Sequence, residues 1–281
     1  MLVFIIPLKS AKVSYSWVQV SKLFERTIRS VCNQTSLEFR VIVVCHEQPD
    51  IEFEHSNVTY LQVNFPLPAW EVNTDHASRD TDKQKKIFTG LMYARQFNPT
   101  HIMFVDADDC VSKHLAKFVL QNPESNGWMF DKGYEYFDGS KSILLRQKGF
   151  CYRCGTSSIV KYELIAPDKN MKVDNIDRKW LFHGNQIKKQ LFIQGVILDT
   201  LPFLGAVYIT NHGDNIRNQI TLELQRANSI LQKMRFLLLI IGKRFLSQKL
   251  VDSIREEFSL YDINNLNLVN IKYLDIQKIA N

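Results

Sequence analysis

No apolar run in this chain of 281 residues is long enough to span a bilayer, which takes roughly 20 consecutive apolar residues. Met1 to Leu8 is apolar but runs straight into Pro7 and Lys9, and the longest later run, Phe236 to Ile241, is shorter still. Nothing at the N-terminus resembles a cleavable signal, and the five cysteines are an odd set without disulfide-scaffold spacing. These absences argue against a secreted, bridge-stapled module and predict a reduced, cytoplasmic protein. There is no internal repeat or low-complexity tract, so a solenoid is not expected. Charge of one sign is also scarce: 35 Lys and Arg against 29 Asp and Glu leave +6. That excess favours an anionic partner (a nucleotide diphosphate, an acidic lipid surface or nucleic acid) and is too small to choose among them.

What remains is an ordinary globular composition, with length for one large α/β domain or for one domain and an appendage. Leu2 to Pro7 reads as a buried strand ending in proline, and Ser16 to Cys32 as a one-faced helix through Trp17, Val20, Phe24, Ile28 and Val31. Phe39 to Cys45 reads as a second strand, completing a βαβ unit with a right-handed crossover. Val58 to Val63 predicts a third strand. A charged segment, Asp75 to Lys86, leads into a helix carrying Ile87, Leu91 and Arg95 on one line. Asp80 and Asp82 suit the start of that helix, whereas Lys83, Lys85 and Lys86 oppose its dipole. Solvated lysines on a surface turn are the plain explanation, and a bound phosphate the functional one.

The most informative stretch is Ile102-Met103-Phe104-Val105-Asp106-Ala107-Asp108-Asp109-Cys110. A strand-length apolar run fires into three acids, so the carboxylates fall at the carboxyl end of a buried strand, where open α/β sheets place ligands. Three such groups repel one another, and a hard divalent cation relieves that repulsion while leaving positions for a diphosphate. The plainer alternative is an acid-dressed helix start, with Ser112 capping a helix from Lys113 to Leu120.

Further on, Trp128 to Phe130, Tyr134 to Phe137 and Ser142 to Leu145 predict short strands, the last two joined by an Asp138-Gly139 turn. Periodicity is weak from Gly149 to Gly195, apart from a helix over Gln186 to Phe192, and a strand follows over Ala206 to Thr210. Cys151-x-x-Cys154 has no second pair at ligand spacing, which points to free thiols over zinc. The aromatics Trp70, Trp128, Tyr134, Tyr136 and Trp180 are core residues or, alternatively, the lining of a sugar groove. From Ile220 to Phe245 a seam stepping by four and three predicts a long helix with basic outer faces. Packing on the preceding domain is the plain use of that helix. Residues 220–250 are also open to a peripheral membrane contact at the inner face or to a homodimer.

The order of these signals, from the strand ending in Pro7, through Cys45-His46-Glu47 and the lysine-bearing helix ending Gly90-Leu91-Met92-Tyr93-Ala94-Arg95, to Phe104-Val105-Asp106-Ala107-Asp108-Asp109, resembles the family 2 glycosyltransferases of the GT-A fold. The resemblance covers roughly residues 1 to 215. It implies a mostly parallel sheet flanked by helices, with a catalytic domain over residues 1–217 and a C-terminal helical segment over 218–281. It also implies transfer of a sugar, by an enzyme of hexosyltransferase type, from a nucleotide diphosphate donor to a glycan or lipid-linked hydroxyl, with Mn or Mg and no nucleic acid. Carried over by position, Pro7, Glu47, Lys83, Lys86, Asp106 and Ala107 would surround the donor, and Asp108 and His212 would hold the metal. Where the family has Asp-Asp-Gly-Ser, this chain has Cys45-His46-Glu47, which leaves the base unspecified. The carboxylate expected as catalytic base is replaced by His183, whose ordinary pKa suits the role; Asp174, Asp177 or a retaining mechanism are the alternatives. A nucleotidyltransferase making nucleotide sugars is a rival reading, although Leu8-Lys9-Ser10-Ala11-Lys12 lacks the glycines of a phosphate loop. A catalytically inactive GT-A-like binding protein is another.

Overall fold

Leu2–Pro7 (β1) has every residue up to Ile6 fully buried, because successive side chains serve two different layers. Leu2, Phe4 and Ile6 pack with Val20, Phe24, Ile28 and Val31 of helix α1 (Trp17–Cys32), whereas Val3 and Ile5 pack with Ile87 and Leu91 of α2 (His76–Ala94). A strand that must satisfy both faces has to be apolar throughout. In this computed structural model, residues 1–67, 76–173, 185–210 and 247–263 are described.

The main sheet has seven strands in the order β10-β6-β9-β4-β1-β2-β3. These are β2 (Phe39–Cys45), β3 (Val58–Gln62), β4 (His101–Phe104), β6 (Gly127–Met129), β9 (Ser158–Lys161) and β10 (Asp199–Thr200) around β1. All run the same way except β9, which is antiparallel to both neighbours. The chain leaves β1 toward β2 and β3 and returns through α2 to β4 on the other side of β1. The order therefore reverses between β1 and β4, which is the switch point where α/β sheets bind ligands. This is the α/β class with helices on a mostly parallel sheet that the sequence predicts.

A second, five-stranded sheet runs β12-β8-β7-β11-β5. It comprises β5 (Cys110–Val111), β7 (Gly133–Phe137), β8 (Ser142–Arg146), β11 (Ala206–Thr210) and β12 (Ser247–Lys249). Helix α1 joins the two sheets: the Ser30 hydroxyl accepts from Val111 N and donates to Val111 O, and the buried Arg26 donates to Asp138 at the β7–β8 turn. A helix over Asp252–Phe258 (α5) adds Ile254 and Phe258 to the core under this sheet.

Three local expectations need correction. Helix α2 begins at His76, so Asp80, Asp82 and the lysines lie in its body and do not form its first turn. Helix α3 (Leu115–Gln121) starts two residues later than expected, and Ser112 does not cap it. Gln34, from beyond α1, accepts the Ala116 N–H instead, while the Ser112 hydroxyl accepts the His114 N–H ahead of the helix and donates to Glu257. The third miss is β9, which the weak periodicity after Gly149 concealed because only Ile159 and Val160 are apolar there. The long seam from Ile220 to Phe245 lies outside the described residues.

Candidate active site

Strand β4 delivers the acidic loop directly beside the end of β1, the ladder continuing through Val105 N to Ile5 O. The chain then crosses from one sheet to the other within Asp106–Asp109, closed by Asp109 N donating to Asp106 O, and enters β5 at Cys110. The three carboxylates meet three different environments.

Asp106 is half-exposed, and its backbone N–H donates to the Thr156 hydroxyl at 2.9 Å. The Lys83 ammonium of α2 lies directly on its Oδ1. Burial pulls the Lys83 pKa down, but Asp106, with Asp108 and Asp109 behind it, outweighs that and holds the ammonium above the ordinary lysine value. Gly155 closes the other side: a Cβ there would stand 2.5 Å from Asp106 Oδ2, so only glycine lets the backbone come this near the carboxylate.

Asp109 is fully buried. Its Oδ1 accepts the Ile209 N–H at 3.1 Å and its Oδ2 the Cys154 thiol at 3.2 Å, with the Thr156 side chain as a further partner. Burial, with Asp108 and Asp106 beside it, drives its carboxyl well above the ordinary aspartate range. Asp109 thus pins the acidic loop to β11 and to the segment before β9. Asp108 is the remaining acid, half-exposed and within electrostatic reach of both Lys83 and Asp109. Much of the repulsion expected among the three carboxylates is therefore met by the protein itself, through one internal ammonium and one buried hydrogen-bonded acid.

Of the other predicted site residues, Pro7 ends β1 opposite Val44 at this same strand end, and Ala107 packs against the core between its two acids. Lys86 is 1% exposed, its ammonium donated to Leu8 O at 2.7 Å and Asp82 Oδ2 at 2.8 Å, so it secures the end of β1 against α2. Glu47, at the end of β2, reaches back to the loop after β1. Its oxygens accept from the Ser10 hydroxyl at 3.0 Å and the Ala11 N–H at 3.1 Å. The strand ends thus bring together Pro7, Lys83, Lys86, Asp106, Ala107 and Asp108, with Glu47 bracing their neighbouring loop. His183, His212, Asp174, Asp177, Trp70 and Trp180 lie outside the described residues.

Sequence reasoning missed Gly155 and Thr156, and it read Cys154 only as half of a thiol pair. The five cysteines are free and buried, and the thiol of Cys154 is raised well above its usual pKa by burial first and then by Asp109 and Asp106. The available signal was the run of small residues, Gly155-Thr156-Ser157-Ser158, directly before a short apolar pair.

Among the described residues no group of three or more His, Cys, Asp and Glu gathers into a metal cage. A hard cation held by one or two carboxylates and completed by phosphate oxygens and water does not need one, and the partly exposed carboxylate of Asp108 has the chemistry such a site requires.

No protein-family model and no curated protein matches this chain. Among solved structures it is similar to S. aureus TarS, at 13% identity and a TM-score of 0.45 over 87% of this chain and 43% of that one. It is also similar to residues 1–349 of the same protein in complex with UDP, at 12% identity and a TM-score of 0.43 over 84% and 68% of the two chains. A third likeness is to the Francisella tularensis 2-C-methyl-D-erythritol 4-phosphate cytidylyltransferase, at 10% identity and a TM-score of 0.38 over 80% and 98%. The chain spans less than half of the longer TarS chain that it matches.

Proposed function

We propose that this chain is a metal-assisted glycosyltransferase that moves a sugar from a nucleotide diphosphate donor to a hydroxyl of a glycan or lipid-linked acceptor, in the cytoplasm. The observation that carries the reading is the placement of Asp106 and Asp108 at the end of β4, at the switch point beside β1, with the Lys83 ammonium on Asp106. Asp108 would hold Mn or Mg, with His212 as a further ligand. A cation held there would supply positive charge to stabilise the leaving nucleotide. Asp106, fixed by Thr156 and Gly155, faces the ribose and donor sugar. Lys83 would exchange its carboxylate partner for a phosphate oxygen. Asp109 and Lys86 hold the loop and the strand end in register, and His183 takes the proton of the acceptor hydroxyl.

The loop after β1 favours this reading over a nucleotidyltransferase. A phosphate-cradling loop presents free backbone N–H groups, but here the Ala11 N–H is given to Glu47 and the Lys12 N–H to the Ser10 hydroxyl. Turnover tests the proposal. A panel of nucleotide sugars with Mn should yield nucleoside diphosphate and either free or transferred sugar, and Asp108→Asn should abolish the release. Release of pyrophosphate from a nucleoside triphosphate and a sugar phosphate would favour the rival, and no release from any donor would leave a binding protein.

A further inference from the structure

Helix α4 (Asn185–Ile193) is held to the main sheet by Ile187 and Leu191, one turn apart and both in the core shared with α2 and β4. Its opposite side carries side chains that none of the other described residues covers. Lys188 and Lys189 are exposed, and one turn on from them Phe192 and Ile193 stand 69% and 83% exposed. Gly195, at φ +79°, ends the helix: its own N–H returns to Phe192 O, and the Val196 N–H returns to Leu191 O. That turn brings Val196 and Leu198 back to the core and leaves Ile197, between them, 70% exposed.

We infer that this end of α4 is a contact for an anionic lipid bilayer. Exposed Phe192, Ile193 and Ile197 beside exposed Lys188 and Lys189 give the pairing of apolar and cationic side chains that lies at a bilayer interface. The charge on the helix beside them is positive: Lys188 and Lys189 are exposed, and Asn185–Ile193 contains no Asp or Glu, the next acid along the described chain being Asp199. Three apolar side chains alone make a marginal anchor, and a lasting one takes a second signal, which the two lysines supply toward acidic headgroups. This inference does not depend on the proposed chemistry, since none of its residues belongs to the acidic loop.

The test is sedimentation of the full chain with phosphatidylcholine vesicles, with and without phosphatidylglycerol, at low and high salt. The wild-type chain should bind only the anionic vesicles and be released by salt. Lys188→Glu with Lys189→Glu should lower partitioning about twentyfold or more, at about fivefold for each lysine removed from the surface. Phe192→Ser with Ile193→Ser should lower it comparably without changing the melting temperature, since both side chains are already in water. Equal binding to neutral vesicles, no binding to either, or variants that bind like wild type would overturn the inference. So would a wild-type dimer that the Phe192 and Ile193 substitutions dissociate, which would assign the face to a second copy of the chain.

Discussion

The ammonium of Lys83 lies on Oδ1 of Asp106, so a residue from the body of α2 neutralises the first acid of the loop after β4. The two are 23 positions apart in sequence and meet because α2 crosses back over the sheet to place β4 beside β1. A partly exposed pair of this kind adds little to folding, about 1 kcal/mol at most. Its importance is in binding: Lys83→Gln should leave the melting temperature almost unchanged and weaken Mn-dependent nucleoside diphosphate binding about tenfold, as expected for one charge-assisted phosphate contact. Isothermal titration of both proteins measures this.

Gly155→Ala tests the other side of the same carboxylate. The new methyl group would enter at 2.5 Å from Asp106 Oδ2, and the carboxylate is the part able to move. The variant should fold, because the backbone at Gly155 needs no left-handed conformation. It should nevertheless lose Mn-dependent nucleotide binding to at least the extent seen for Lys83→Gln. Wild-type affinity in a folded Gly155→Ala protein would show that the position of Asp106 is unimportant.

Lys86 should behave in the opposite way. Its removal strands Asp82, whose Oδ1 already has no hydrogen-bond partner, and leaves Leu8 O without its donor. Lys86→Met should therefore cost about 3 kcal/mol, as when one member of a buried pair is deleted. At a chain of this size that is about 5 °C in melting temperature. A loss of binding with no loss of stability would instead return Lys86 to the donor-binding role expected from its position.

Acid should destabilise the fold through His101. This histidine is fully buried at the start of β4, with Nε2 at 2.9 Å from Ser125 O and Nδ1 at 3.1 Å from the Thr100 hydroxyl. Burial lowers its pKa, against a smaller opposing effect of the Ser125 bond, and His55 is lowered by burial in the same direction. Below the unfolded value of about 6.5 the unfolded chain binds protons that the folded chain refuses, so stability is complete above that pH and is lost as pH falls toward the folded pKa. Melting temperatures should decline as pH falls from neutral through the histidine range, and His101→Gln should flatten that decline, leaving the share due to His55 against the opposite contribution of Asp109, whose raised carboxyl favours the folded chain as it protonates.

Much of the fold was legible because buried strands cannot disguise their composition. Leu2–Pro7, Phe39–Cys45 and Ala206–Thr210 fall where the apolar runs put them. The acidic loop was legible for the same reason, as polar residues at the end of such a run. Strand β9 was not, because Ser158 and Lys161 flank only two apolar residues and its neighbours β4 and β6 supply the rest of its definition. Nor could spacing alone separate the roles of Asp106, Asp108 and Asp109. The division is made by Thr156, Gly155 and Cys154, which lie some 50 positions away in sequence and arrive through tertiary packing. The lysines were misplaced to a helix start because the charged residues from Asp75 onward imitate one, whereas α2 begins at His76.

The central claim is that Asp108 holds a divalent cation through which a nucleoside diphosphate binds, and thermal melting tests it most directly. The account predicts that, with Mn present, at least one nucleoside diphosphate at about a hundred times its dissociation constant raises the melting temperature by about 5 °C or more. That shift should disappear when Mn is chelated and in Asp108→Asn. No shift with any nucleoside diphosphate, or a shift that Asp108→Asn and chelation leave intact, would contradict it.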